Sequence, residues 1–308
     1  MSNYEKYLAC HKCESPLNIN DSQIHCPSCK RTYKLEEGIY YLLPEYSEDI
    51  KLSVEKWDEG YIKQFNSKEY LKLYEKYKKD HYENVKNQIM TEKNLAGSVY
   101  LEIGCGPFFL GSLIAKECEL VIGVDFCPHA LKIAQDIMKR NNVSNYLLIH
   151  GDILEMPIKT SSIDYIYGGG VIEHFQNTIE SIREIYRVLK SNGITFNTVP
   201  YLNLGSLTYR QIWGNIPNFP VLKELAEFIH IKLLKGKHMV FGYEFSFTKN
   251  KLKQLHKEAG FKDIRVEQFP VKMDFDFLPN GPIRNFAMYL AANSSLFWPM
   301  VKVIGRKP

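Results

Sequence analysis

An α/β fold built on an open, mostly parallel sheet, preceded by a small cysteine-rich appendage, is what this chain of 308 residues predicts. Three observations lead there. Val99-Tyr-Leu-Glu-Ile-Gly-Cys-Gly106 reads as a buried strand that ends beside an acid and turns through Gly-x-Gly into the helical run Phe108 to Glu117. The next apolar run, Leu120 to Asp125, stops at a carboxylate about 20 residues beyond the first glycine. Near the N-terminus, Cys10-x-x-Cys13 is followed by Cys26-x-x-Cys29.

The two cysteine pairs come first in the chain. Twelve residues separate them, a spacing that resembles a zinc ribbon and offers four thiolates to one tetrahedral metal. The chain opens Met-Ser-Asn-Tyr-Glu-Lys with no apolar signal region, which argues for a reducing, cytoplasmic setting and against disulfides. A redox pair would not come as two knuckles so close together. Four thiolates also close the coordination shell, so the expected zinc, on Cys10, Cys13, Cys26 and Cys29, is structural. His11 and His25 stand beside the ligands and outside the expected set. The ribbon, residues 1–46, is too small to bury much core and would depend on its metal.

Residues 47–95 form a charged, tyrosine-rich stretch of helical periodicity, a linker and lid carrying Trp57, Tyr61, Phe65, Tyr70, Tyr74 and Tyr77. An amphipathic face packed over the sheet accounts for most of these aromatics; Tyr61 is the candidate for ligand contact. The remainder, 96–308, is the catalytic domain.

Its glycine loop excludes two common ligands. A dinucleotide fingerprint needs a third glycine where Phe109 stands, so a pyrophosphate would be crowded. No Lys or Arg lies between Tyr100 and Ala115, where a phosphate-loop enzyme presents Gly-Lys-Ser or Gly-Lys-Thr. From Glu102 the pattern instead resembles the first motif of the Rossmann-like S-adenosylmethionine-dependent methyltransferases, Glu/Asp-x-Gly-x-Gly-x-Gly, with Phe108 in place of the last glycine. That donor carries a sulfonium and an ammonium but no phosphate, which suits a carboxylate-lined cleft.

The resemblance continues for about the next hundred residues and implies a seven-stranded, mostly parallel sheet with an antiparallel last strand. It makes Asp125 the ribose-binding acid and Asp152 the acid that contacts the adenine amino group, with Ile153 beside the ring. Glu102 would touch the donor's amino acid moiety or organise the turn. Gly104, Cys105, Gly106, Phe126 and Gly169 complete the expected donor set. Ser162 to Phe175 is the strand that ends where donor faces acceptor. His174, just beyond it, is the candidate general base, with Glu173 as orienting partner or alternative; a helix-start pair that supports the loop is the competing reading. Ile182 to Pro200 reads as a helix, a stop at Gly193 and a buried strand.

An insertion, 201–241, interrupts the pattern with an amphipathic run from Val221 to Leu234 and would cover an acceptor pocket. The family order resumes with a helix that opens at Phe-Thr-Lys-Asn and ends at Gly260, a strand from Phe261 to Phe269, and a last strand from Trp298 to Gly305. Cys105, Cys118 and Cys127 read as small apolar fillers.

The net charge of +4 permits RNA contact without indicating it. No apolar run approaches a spanning helix; Val221 to Leu234 reads as a lid or core helix, with peripheral membrane contact as the other reading. Gly168-Gly169-Gly170-Val171 lacks the Asn/Asp-Pro-Pro-Tyr/Phe of amino-group methylases. The expected function is therefore methyl transfer to a small-molecule acceptor, the hydroxyl of a sugar, quinone or secondary metabolite. An RNA base methyltransferase is the alternative, because the ribbon and the sequence Gly38 to Pro44 resemble the ribosomal RNA guanine N1 methyltransferases. A third reading is a non-catalytic S-adenosylmethionine-binding module that docks through its ribbon.

Overall fold

The computed structural model describes residues 4–20, 23–43, 48–239, 241–270, 275 and 278–308, and in the helix opening at Glu48 the side chains of Val54 and of Trp57 onward. Met1–Asn3, Pro44 and the boundary expected after residue 46 lie outside the described residues. The chain forms two compact units, one of residues 1–168, 183–195 and 307–308, the other of 169–182 and 196–306.

The first unit begins with an antiparallel meander, β1 (Asn18–Ile19), β2 (Gln23–His25), β3 (Thr32–Glu36) and β4 (Ile39–Tyr41). Three helices follow: α1 (Glu48–Ser67), α2 (Glu69–Tyr77) and, after a π-turn at Lys78–Tyr82, α3 (Glu83–Glu92). Lys68, at a left-handed φ of 58°, breaks α1 from α2. Next come β5 (Val99–Ile103), α4 (Phe109–Ile114), β6 (Leu120–Asp125), α5 (Pro128–Arg140), β7 (Tyr146–His150), β8 (Ile163–Gly169), α6 (Thr178–Val188) and β9 (Leu189–Pro200).

Within this unit the strands are ordered β1-β2-β3-β4-β7-β6-β5-β8. Strands β7, β6, β5 and β8 are mutually parallel, and every residue of β5 and β6 is buried, as apolar runs covered on both faces require. The ribbon segment is not a detached appendage: β4 pairs in parallel with β7, Ile39 opposite Leu148, and extends the main sheet. α5 opens with proline at its first turn and buries Ala130, Ile133, Ala134 and Ile137 on one stripe. Tyr70, Tyr74 and Phe109 form a core cluster with Ile133 and Ile137, so α2 is anchored by its aromatic face.

Gly193 does not stop the helix. α6 ends at Val188 and β9 begins at Leu189, so the glycine lies within the strand. A Cβ there would come within 2.8 Å of the Lys190 carbonyl oxygen, and Asn192 takes φ 63° beside it, so the glycine answers a tight backbone approach.

In the second unit β9 continues beside β13 (Met300–Arg306), which pairs antiparallel with β12 (Lys262–Phe269), Val266 opposite Val303. Between them in sequence lie β10 (Ile216–Pro217), α7 (Pro220–Glu227) with a π-turn at Phe228–Leu233, β11 (Phe245–Ser246), α8 (Lys249–Glu258) and α9 (Pro282–Asn293). α8 starts where the sequence places it: the Thr248 hydroxyl caps it by accepting the Lys251 N–H at 3.2 Å. The core includes Phe196, edge-to-face with Phe269 at 6.1 Å.

Candidate active site

Beyond β5 the chain turns through Gly104 and Gly106, at φ 55° and 50°. Phe108, where the family motif has its last glycine, keeps the glycine-like backbone at φ 54°, a region costly for a bulky residue. Its ring is fully buried in a niche that two other glycines create. A Cβ on Gly111 would come within 2.0 Å of the ring, and one on Gly123 within 3.2 Å of it and 2.9 Å of Cys105 Sγ. Loop shape is thereby preserved without the third glycine, and the Cys105 thiol packs toward the sheet.

Two buried carboxyls meet this loop. Asp125, at the end of β6, accepts the Gly106 N–H at 2.7 Å on one oxygen and the Cys127 N–H at 2.8 Å on the other, which ties the glycine turn to the start of α5. Burial pushes its carboxyl up to about 6 against those two hydrogen bonds. Glu102 accepts the Tyr100 hydroxyl at 3.2 Å. Burial, with the charge of Asp125, pushes its carboxyl up to about 8, despite hydrogen bonds from Tyr100 and the Gly111 N–H. At neutral pH the loop thus holds one ionised and one largely neutral acid, a donor set that suits a cationic ligand.

α1 closes on the same loop. A Cβ on Gly106 would lie 2.9 Å from the Tyr61 hydroxyl, so this glycine makes room for the tyrosine. Trp57 stacks on Tyr61 at 6.3 Å, and Asp58 holds His129 at the start of α5, at 2.9 Å to Nδ1 and 3.2 Å to the backbone N–H. Phe65 instead stacks on Tyr70 and belongs to the core.

Asp152 follows β7 and accepts the Leu154 N–H at 2.8 Å; burial raises its carboxyl. Ile153 is buried next to it. His150 Nε2 lies 3.0 Å from the Phe126 carbonyl, and only the nitrogen can donate, so the β6 and β7 ends are locked together. The ribbon docks on this loop. Ala9 N–H donates to Pro157 at 3.1 Å, Lys159 N–H to Tyr7 at 2.9 Å, and His11 Nδ1 lies 3.1 Å from Glu155.

In the second unit, Gly169 is exposed at the end of β8, and Glu173 and His174 lie in a 3₁₀ turn, Ile172–His174. His174 Nδ1 is 2.6 Å from the Tyr243 carbonyl oxygen. A carbonyl can only accept, so Nδ1 carries the proton and Nε2 is the lone-pair nitrogen. Tyr243, not Glu173, thus orients the imidazole. Glu173 is buried with Oε2 unpartnered; burial and the neighbouring Glu244 charge raise its carboxyl well above the usual range, which favours its protonated form.

The four ribbon cysteines converge. Cys10 and Cys29 Sγ are 3.5 Å apart, Cys13 and Cys26 3.4 Å, and all four lie within 4.8 Å of one another. A tetrahedral zinc with bonds near 2.3 Å needs sulfurs about 3.8 Å apart, so the set fits that ion. Both knuckles close alike: Glu14 N–H donates to Cys10 O and Lys30 N–H to Cys26 O, with Glu14 and Lys30 both left-handed.

The sequence reading did not identify Asp58, the Gly111–Gly123 niche or Tyr243. The glycines had a signal, since each falls on a buried helix or strand where alanine is the ordinary small residue. A backbone carbonyl such as that of Tyr243 leaves none.

Residues 101–197 match the family model described as a methyltransferase domain. The chain thus carries a methyltransferase domain on the Rossmann-like fold of the S-adenosylmethionine-dependent methyltransferases. It is 28% identical over 184 residues to the demethylmenaquinone methyltransferase of Listeria welshimeri, covering 55% of this chain and 72% of that one. With the enzyme of the same name from Staphylococcus saprophyticus it shares 28% over 201 residues, 60% of this chain and 79% of the other. Among solved structures, YcgJ of Bacillus subtilis superimposes with a TM-score of 0.51 at 19% identity, over 74% of this chain and 99% of that one. Phosphoethanolamine N-methyltransferase 2 of Haemonchus contortus, in complex with S-adenosyl-L-methionine, gives 0.50 at 20%, over 73% and 52%.

Proposed function

We propose that the chain methylates a small, ring-bearing acceptor of the quinone class, with His174 as general base and a structural zinc in the ribbon. The observation that carries the acceptor class is the likeness to demethylmenaquinone methyltransferases. When bound, S-adenosylmethionine supplies a methyl group already activated on sulfur. What the chain's residues must do is align, exclude water and move one proton. Gly104 and Gly106 would let the loop backbone approach the donor, Asp125 and Asp152 would bind its ribose and adenine, and Ile153 and Glu102 would serve its ring and its cationic end. Tyr61 and Trp57 cover the loop. Nε2 of His174 takes the proton of a hydroquinone hydroxyl; the oxyanion, or the ring carbon adjacent to it, would then take the methyl as its bond to the donor sulfur breaks and S-adenosylhomocysteine leaves. A ring carbon so methylated would lose its own hydrogen as a proton to restore the aromatic ring.

Supporting this reading, the His174 tautomer leaves the needed lone pair, and burial shifts Glu173 toward the protonated form that could donate a hydrogen bond to an acceptor oxygen. The test is methylation of a reduced quinone by wild type and by His174→Gln. The variant is expected to lose about 10²–10⁴-fold in kcat with donor affinity retained. Full turnover by the variant would remove His174 from the mechanism. Metal analysis tests the zinc: wild type is expected to hold one equivalent and Cys26→Ser none.

A further inference from the structure

α7 and the π-turn after it are amphipathic in the reverse sense to a core helix. Their inward side holds Ala226 and His230, with Glu227 half-buried: the Tyr243 hydroxyl donates to Glu227 at 2.5 Å, and His230 bonds Gln211 and His238, both at 2.8 Å. The outward side is mostly apolar, with Glu224 as its exposed acid. Val221 is 71% exposed, Leu225 54%, Phe228 56% and Leu233 64%. Scattered apolar residues on a surface mean little, but a continuous outward stripe on an inverted helix marks an interaction face.

A second helix of the same unit repeats the arrangement. α9 turns Ala291 inward, with its carbonyl accepting from Gln268 at 3.0 Å, and leaves Ile283, Phe286 and Tyr289 exposed at three-residue spacing. The Gly205 N–H donates to the Leu296 carbonyl at 3.0 Å, which brings the exposed Leu204 and Leu207 to the end of α9.

Charge decides what this face meets. Apart from the exposed Glu224 on α7, the charge is basic: no acidic residue falls between Glu227 and Glu244, a span that contains the exposed Lys232, Lys235 and Lys237, and none follows Asp276 in the sequence. A second copy would bring the same excess of three exposed lysines over Glu224 to both sides of the contact. Among the described residues no helix is long and apolar enough to cross a membrane. Exposed apolar side chains flanked by lysines on short helices are the composition of an interfacial helix on anionic lipid.

We propose that the outward faces of α7 and α9 rest on the surface of a bilayer that contains anionic lipid. The claim stands on exposure and charge alone and does not depend on which acceptor is methylated. An apolar acceptor dissolved in that bilayer would be delivered at the same surface.

The test is flotation of the full chain with vesicles of phosphatidylcholine, with and without phosphatidylglycerol. Wild type is expected to float with the anionic vesicles and to be released by salt. Leu225→Glu/Phe228→Glu is expected to lower partitioning at least about tenfold, and Lys232→Gln/Lys235→Gln/Lys237→Gln by about fivefold per charge. Thermal melting and donor binding equal to wild type establish that each variant is folded. Wild type that remains unbound on both vesicles, or a folded glutamate variant that floats like wild type, would overturn the proposal. So would sedimentation that shows a dimer broken by the same glutamates, because a second copy would then cover the face.

Discussion

Replacing Glu102 with glutamine asks whether the donor loop stores a neutral acid that ionises when a cation arrives. The Glu102 carboxyl is pushed up to about 8 from 4.5. Below the lower value both folded and unfolded chains carry the proton, and stability is unaffected. As pH rises toward the upper value only the unfolded chain loses it, so stability falls. From pH 4.5 to pH 7 the loss is about 3 kcal/mol, at about 1.4 kcal/mol for each pH unit. Unliganded Glu102→Gln is therefore expected to exceed wild type by about 3 kcal/mol at pH 7 in urea unfolding, and to match it near pH 4.5.

The same shift predicts linkage to binding. At pH 7 a carboxyl titrating near 8 is about 90% protonated and one near 6 about 10%. A sulfonium and an ammonium in the cleft favour the charged form, so donor binding should release about 0.9 proton in wild type. Calorimetry in buffers of different ionisation enthalpy reads that number directly. Glu102→Gln should bring it close to zero and weaken donor binding about tenfold or more. Equal proton release in both proteins, or a variant no more stable at pH 7, would refute the assignment.

Asp125→Asn retains one acceptor for the two backbone N–H groups at 2.7 and 2.8 Å; it should cost about 1–3 kcal/mol in stability and at least about tenfold in donor Kd, measured by unfolding and calorimetry. Gly111→Ala drives a methyl into the Phe108 ring and should destabilise by about 1–3 kcal/mol, whereas Gly111→Ala with Phe108→Gly should recover part of that loss in a double-mutant cycle. Chelating the zinc, or Cys26→Ser, should loosen the 152–160 loop on which the ribbon docks. Hydrogen exchange there should rise, and donor binding should weaken without any change at Asp125.

The donor site was legible because its chemistry lies at strand ends. β5 and β6 are buried runs that carry Glu102 next to the last residue and Asp125 at it, and parallel strands bring such ends to one edge by construction. The ribbon's four cysteines were legible for a similar reason, since ligand spacing within each knuckle is local. What joins the ribbon to the main sheet was not. β4 has only three residues, and its pairing with β7 is a backbone contact across more than a hundred positions of sequence. The polarity of α7 escaped for a different reason: periodicity defines a stripe but not which side of it faces the core. The stripe from Val221 was read as a lid or core face, with membrane contact as the other reading; the interior took the polar side because Glu227 and His230 found partners there.

The most direct measurement is methyl transfer itself. Purified chain is incubated with methyl-labelled S-adenosylmethionine, a reduced quinone and, separately, ribosomal RNA, and label is counted in the lipid-extractable and nuclease-sensitive fractions. The account predicts label in the extracted quinone, dependent on Asp125 and His174. Label confined to RNA, or none in either fraction while the donor still binds, would contradict it.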